Sequence, residues 1–154
     1  MIYLLFLVFF AACCAAGATG AMFSPDQWYR DLDRPSWNPP DWLFPIAWTV
    51  LYLSMAYAGA RLAMAPGSGL ALALWSLQIA LNTLWTPVFF GLHNIKGAMV
   101  VIAALWSAVI AATAVFFTVD TVSGWLFVPY AIWVSYAAAL NLAILIRNPT
   151  ASAA

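Results

Sequence analysis

WYRDLDRPSWNPPDWLFPIAWTVLY, residues 28–52, decides how this chain must be read. It holds four of the nine tryptophans, four of the nine prolines and five of the ten formally charged residues, and the sequence on either side is close to continuously apolar. The segment opens polar and ends inside a hydrophobic run, so it joins a water-facing stretch to a membrane-buried helix. Pro39-Pro40 removes two successive backbone donors and steers Asn38 and Pro39 away from helical dihedrals, which predicts a stiff, extended turn directly before a helix. Asp41 is expected to cap that helix, with Pro45 in its first turn, where a missing N–H costs little. A loop built from so many rigid rings and fixed dihedrals is expected to hold one shape, and we read it as a lid over a cavity.

Of the 154 residues, 66% are hydrophobic and 6% charged, more apolar surface than a soluble domain of this size can hide. A helix crosses a bilayer with about 20 apolar residues, which leaves room for roughly five. The apolar stretches place spans at 2–23, 42–63, 70–90, 97–118 and 124–146, with the lid loop at 24–41. The expected fold is all-α, a single polytopic domain over 1–154 made of five transmembrane helices. Residues 1–23 look like a secretory signal at first sight. No Lys or Arg precedes the apolar run, however, and the run is long enough to span, so it is read as a retained first helix. Ala12, Ala16 and Gly20 predict a ridge of small residues on it for close helix contact.

The loop at 24–41 carries six of the ten charged residues, so it meets water, and its length is unusual for a connection in a compact bundle. Arg61, near the end of the second span, is expected to snorkel to the interface. Arg30, Arg34, Lys96 and Arg147 fall on one side of the membrane and Arg61 on the other, which places the N-terminus outside the cell and the first loop inside.

Several function classes are disfavoured. Net charge is zero, with no basic footprint for nucleic acid. Cys13 and Cys14 are adjacent, and no Cys or His spacing forms a metal site. His93 is the single histidine, which leaves one-sided axial ligation as the only haem mode and excludes a bis-histidine one; no cofactor is expected. No Asp, Glu, Lys or His falls mid-span, as pumps, channels and proton-coupled carriers generally need. No nucleophile–base or paired-carboxylate constellation can be assembled. Binding of an apolar or aromatic molecule remains.

Three helical stripes could supply it. Trp48, Tyr52 and Met55 share one face, Gln78, Asn82, Trp85 and Phe89 a second, and Tyr130, Trp133, Ala137 and Asn141 a third. Each stripe has two readings: bundle packing with amides bonding across helices, or the wall of a ligand cavity. Trp28, Trp42 and Trp125 lie near span ends and fit an interfacial belt. Trp48 and Trp133 sit deeper, where an indole N–H needs a partner, and a ligand is as good a candidate as the protein.

The segments at 28–52, ALNTLWTPVFFG at 80–91 and PYAIWVSYAAALN at 129–141 occur in an order that is specific. With the five spans, the chain resembles over essentially its whole length the translocator protein family, also called tryptophan-rich sensory proteins and, in animals, peripheral-type benzodiazepine receptors. The resemblance implies a five-helix bundle, usually a homodimer, in this case in a bacterial cell membrane, with a pocket closed by the first loop. It implies binding of porphyrins such as protoporphyrin IX and of isoquinoline carboxamide and benzodiazepine ligands; cholesterol binding is described for many members. The family's pocket residues carry over to Trp48, Asn82, Trp85, Trp133 and Ala137, with Tyr29 and Trp37 from the lid. The stripes add Tyr52, Phe89 and Asn141. Animal members end the last helix with a sterol motif containing Tyr and then Lys or Arg. Here the run is LNLAILIR at 140–147, with Leu142 in place of the Tyr, so high-affinity sterol binding is not expected.

The expected function is a membrane receptor for porphyrins and similar flat apolar ligands, in sensing, storage or passage across the membrane. Its rivals are a light- and oxygen-dependent breakdown of protoporphyrin at Trp48 and Trp133, and a scaffold that binds sterol or lipid. Arg30 and Arg34 could meet a porphyrin's propionates, but pairing within the loop to Asp26, Asp31 or Asp33 is the expectation. Dimerisation is expected through small residues, either Ala71, Ala73 and Ala80 of the third span, which the resemblance favours, or Ala104, Ala108 and Ala112 of the fourth.

Overall fold

A computed structural model describes residues 1–151. Among them the regular elements are helices: α1 (Ile2–Met22), α2 (Gln27–Asp31), α3 (Leu43–Met64), α4 (Gly69–Thr86), a π-helical turn (Pro87–Gly91), α5 (Ile95–Val119) and α6 (Thr121–Arg147). Four of them, α1, α3, α5 and α6, are long and apolar enough to cross a membrane. The protein is therefore an integral, multi-pass membrane protein. α4 has 18 residues and is diluted by Ser76, Gln78, Asn82 and Thr83, so it does not stand with those four by length and composition. The π-helical turn continues its path to Gly91.

The five long helices close into a ring. α1 packs on α3, α3 on α6, α6 on α5, α5 on α4, and α4 returns to α1. Only Asp120 separates α5 from α6, and its side chain accepts from the Ser123 amide to start α6 without a loop. Asn94 starts α5 the same way, accepting from the Gly97 amide. Inside the ring, Cys13, Met55, Trp75, Val109, Phe116 and Tyr130 belong to one buried cluster. Outside it, Val50, Leu77, Val100, Ile132 and Ile146 are exposed. In water that arrangement would be costly; in lipid tails, which are as apolar as Leu, it costs nothing and shape alone decides which face turns inward.

Close approach of α1 and α3 depends on missing side chains. A Cβ on Gly59 would lie 2.6 Å from the Phe9 ring, and one on Gly17 would lie 3.1 Å from the Tyr52 ring. The predicted ridge is thus corrected by one residue. Ala16 is buried as expected, but Gly20 meets nothing, and Gly17 is the glycine under Tyr52.

The two ends of the ring differ. At one end Arg61 forks onto Asp120, with both N···O distances 2.8 Å, and its guanidinium lies over Tyr57. Arg61 therefore ties α3 to the α5–α6 junction instead of reaching freely for the interface. At the other end the first loop is fastened to two neighbours. Asp33 exchanges two hydrogen bonds with the Asn148 side chain through its backbone and pairs with Arg147 at 3.4 Å. Asp26 pairs with His93 at 2.9 Å, and Trp28 stacks on the His93 ring.

Two expectations about this loop are corrected. It contains a helix, α2, which Asp26 caps by accepting from the Tyr29 amide at 3.1 Å. Asp41 does not cap α3: the position falls to Trp42, with no side-chain bond, and Asp41 stays exposed in the preceding turn. That turn is closed by backbone bonds from Asn38 to Pro35 and from Leu43 to Pro40, so the paired prolines act through their carbonyls and fixed dihedrals.

Candidate ligand site

The stripes on α3, α4 and α6 converge inside the ring. On α3, Trp48 has its ring centroid 5.3 Å from Tyr52, 6.2 Å from Tyr130 and 6.4 Å from Trp133, the last two edge to face. Trp133 also meets Phe44 and Tyr136, and Tyr136 meets Trp37 from the lid. The lid is held there by a 2.6 Å hydrogen bond from the Tyr136 hydroxyl to the Trp37 carbonyl. A continuous run of rings thus leads from the half-exposed Trp37 to Trp48 inside the bundle. Sequence reasoning passed over Phe44 and Tyr136, although they stand four residues before Trp48 and three after Trp133, on the same helix faces.

Beneath the rings lies a polar chain. The Tyr52 hydroxyl donates to Asn82 Oδ1 at 3.1 Å, Asn82 Nδ2 donates to the Tyr130 hydroxyl at 3.1 Å, and that hydroxyl donates to Gln78 Oε1 at 2.9 Å. It links three helices, and Gln78 Nε2 at its end is buried with no partner among the described residues. Asn82 is interhelical glue in the plain sense: its amide joins α3 to α6.

The remaining candidates gather under α2. Trp85 stacks on Phe89 at 5.1 Å and donates its indole N–H to Asn141 Oδ1 at 3.2 Å. Asn141 in turn donates weakly to the Ile95 carbonyl and to Met99 Sδ. Tyr29 is buried, its ring against Phe89 and Phe90 and its hydroxyl donating to Asn38 Oδ1 at 3.3 Å. Nine of the ten candidates therefore form two groups: Trp37, Trp48, Tyr52, Asn82 and Trp133 in one, and Tyr29, Trp85, Phe89 and Asn141 in the other. Ala137 stands on α6 one turn from both Trp133 and Asn141, partly buried against the main core.

The tryptophans inside the ring differ in what their N–H groups do. Trp75 donates to the Met55 carbonyl and Trp85 to Asn141. Among the described residues, Trp48 and Trp133 donate to no protein acceptor, although their rings pack against the core. Both side chains are only partly buried, so these two unpaired donors keep exposed surface that a ligand could reach. Trp42 and Trp125, by contrast, are exposed near helix ends, where belt residues stand.

The lid's charges are arranged otherwise than expected. Arg30 bonds Gln27 and the Pro25 carbonyl, and Arg34 lies over the Tyr29 ring, 4.9 Å from its centroid. Neither forms an ion pair among the described residues, because Asp26 is taken by His93, Asp33 by Arg147 and Asp31 by Gln27. The Tyr29 amide, and after it His93, holds the Asp26 carboxyl below the usual carboxylate range. An open cleft of about 550 Å³ runs along the lid from Leu32 to Asp41, with Arg34 and Asn38 in its wall.

Residues 9–147 match the TspO/MBR family. The chain is 52% identical over 149 residues to protein CrtK of Rhodobacter capsulatus, covering 94% of this chain and 93% of that one. It is 51% identical over 111 residues to a tryptophan-rich sensory protein of Cereibacter sphaeroides, covering 72% and 70% of the two chains. With the human translocator protein it shares 36% identity over 93 residues, 56% of this chain and 54% of the other.

Proposed function

The chain belongs to the TspO/MBR family, and from that premise we propose that it is a membrane receptor for porphyrins and similar flat apolar ligands, acting in sensing or passage of tetrapyrroles. One observation supports this over a scaffold role: Trp48 and Trp133 are neighbouring, partly buried aromatics of the bundle whose N–H groups bond nothing among the described residues. A flat ring that displaces one of them from its edge-on contact would gain a stacking face, and the free N–H groups would meet its polar edge. Equilibrium titration of the purified protein with protoporphyrin, haem, a sterol and an isoquinoline carboxamide, in darkness and in light, tests the reading. Saturable dark binding of protoporphyrin is expected, with weak sterol binding. Absence of saturation for the porphyrin contradicts it.

In this reading α4 and its π-helical turn make the fifth span of one membrane unit. α4 begins at the end of the ring where α3 finishes, and the turn after it lies against α1's far end, Gly91 under Phe23. The polar residues that dilute α4 include Gln78 and Asn82, which point into the ring and bond there, so lipid meets little of them.

The lid's stiffness is part of the same proposal. Replacing Pro39 and Pro40 together with Ala frees backbone dihedrals in the open state, at roughly 1 kcal/mol or less per proline. Porphyrin affinity is expected to fall several-fold while the helical content stays unchanged; equal affinity in the double variant removes the lid from the mechanism.

A homodimer would form through α4. Ala108 and Ala112 of α5 are buried within the chain and unavailable to a second copy; Ala71 of α4 is buried too, so the expected contact there shifts to Leu70, Ala73, Leu77, Ala80 and Leu84, which are exposed in one heptad-spaced seam. Single cysteines placed along α4 and α5, in a background without Cys13 and Cys14, are expected to cross-link only along α4. Monomers at every position refute the dimer.

A further inference from the structure

We propose that Arg34 holds a carboxylate of the bound ligand, so that this site selects flat aromatic molecules carrying an acid group on one edge; the inference rests on the receptor reading above. Arg34 is placed for such a role by its neighbours. Its guanidinium sits 4.9 Å from the centroid of the Tyr29 ring, a cation–π contact that positions a cation without using up its donors. Tyr29 is itself fixed, 5% exposed and bonded through its hydroxyl to Asn38. Arg34 lines the open cleft of the lid, and among the described residues it makes neither an ion pair nor a hydrogen bond. Asp33 is engaged by Arg147 and Asp26 by His93, and Asp41, which lines the same cleft, forms no ion pair with Arg34. The five N–H donors of a guanidinium match a carboxylate in paired geometry.

The position suits an amphiphilic ligand. Trp37 does not itself line the cleft but precedes its Asn38 in the chain, and from Trp37 the rings lead through Tyr136 to Trp133 and Trp48. A ligand whose rings follow that path brings its outer edge to the water-facing lid, where an acid group stays partly solvated. Asp41 lines the same cleft. Its negative charge opposes a second ligand carboxylate there, so one acid group is assigned to Arg34.

The test compares protoporphyrin IX with its dimethyl ester, which keeps the macrocycle and removes both negative charges. Each is titrated in the dark against wild type, Arg34→Met and Arg34→Lys in uncharged detergent. Wild type is expected to bind the free acid more tightly than the ester. Arg34→Met should weaken the acid about tenfold, the usual effect of losing a hydrogen bond to a charged group, and leave the ester unchanged. Arg34→Lys should restore part of the difference. Unchanged ester binding also shows that the variant is folded. Equal losses for acid and ester, the result if Arg34 holds a lipid phosphate or merely orders the lid, overturn the inference, as does unaltered binding of the acid. Wild type that binds neither porphyrin defeats the receptor reading itself, and with it this site.

Discussion

Replacing Trp48 or Trp133 by Ala is expected to weaken dark binding of protoporphyrin about tenfold or more, while Phe at either position weakens it only modestly. A base stacked on an aromatic side chain gains about 1–3 kcal/mol, and Ala removes the stacking face that Phe keeps. Phe also removes the indole N–H, which in both residues lacks a partner among the described residues, so its smaller loss measures the polar part of the contact. The same variants separate receptor from photochemical enzyme. If porphyrin is consumed by reaction with the indoles, Phe should abolish light-dependent loss of porphyrin absorbance while dark binding persists. If the protein is a receptor, illumination should report no more than the bound fraction. Both rings also pack against Tyr130, Phe44 or Tyr136, so unfolding of each variant without ligand must be read in parallel to keep packing loss apart from binding.

The second large effect lies at the opposite end of the bundle. Asp120→Asn is expected to lower stability by about 1–3 kcal/mol at neutral pH, because it leaves the Arg61 fork without its charge partner. Asn retains a side-chain oxygen for the Ser123 amide, so the start of α6 survives and the loss reports on the ion pair. Asp120→Ala should cost more, since it removes the cap as well. Arg61, and with it the Ser123 bonds, holds the Asp120 carboxyl well below the usual carboxylate range. A depressed folded-state pKa stabilises above the unfolded value, near 4, and that contribution is lost as pH falls through the folded value. Wild type should therefore keep the full contribution from pH 7 down to about 4 and lose it only in stronger acid. The Asn variant should lack that acid-side slope. Unfolding in denaturing detergent at several pH values reads both, and equal stability of the two proteins at pH 7 would show that the pair contributes nothing.

The long helices were legible because lipid simplifies the problem: apolar runs with Pro, Gly, Asn or Asp between them leave few choices, and the ends fell within a few residues of expectation. The stripes were legible too, since Trp48 and Tyr52, or Tyr130 and Trp133, share a face by spacing alone. Which stripe meets which was not legible, because it depends on the order of helices in the ring. That order splits the candidates into a group around Trp48 and a group around Trp85. Nor could spacing reveal pairs far apart in sequence, such as Arg61 with Asp120, Asp26 with His93 and Asp33 with Asn148. Local reasoning paired the lid's arginines with the nearest aspartates, and those distant partners took the aspartates first. The five-residue α2 is too short to announce itself by periodicity and rests on one capping carboxylate and its docking on the α4–α5 turn.

Dark fluorescence titration of the Trp48→Ala/Trp133→Ala double variant with protoporphyrin tests the central claim most directly. A ligand seated against both rings predicts affinity more than about tenfold below wild type, and about a hundredfold only if the losses at these two touching rings add in full. Affinity equal to wild type, in a double variant that remains folded, would contradict a binding site at these two tryptophans.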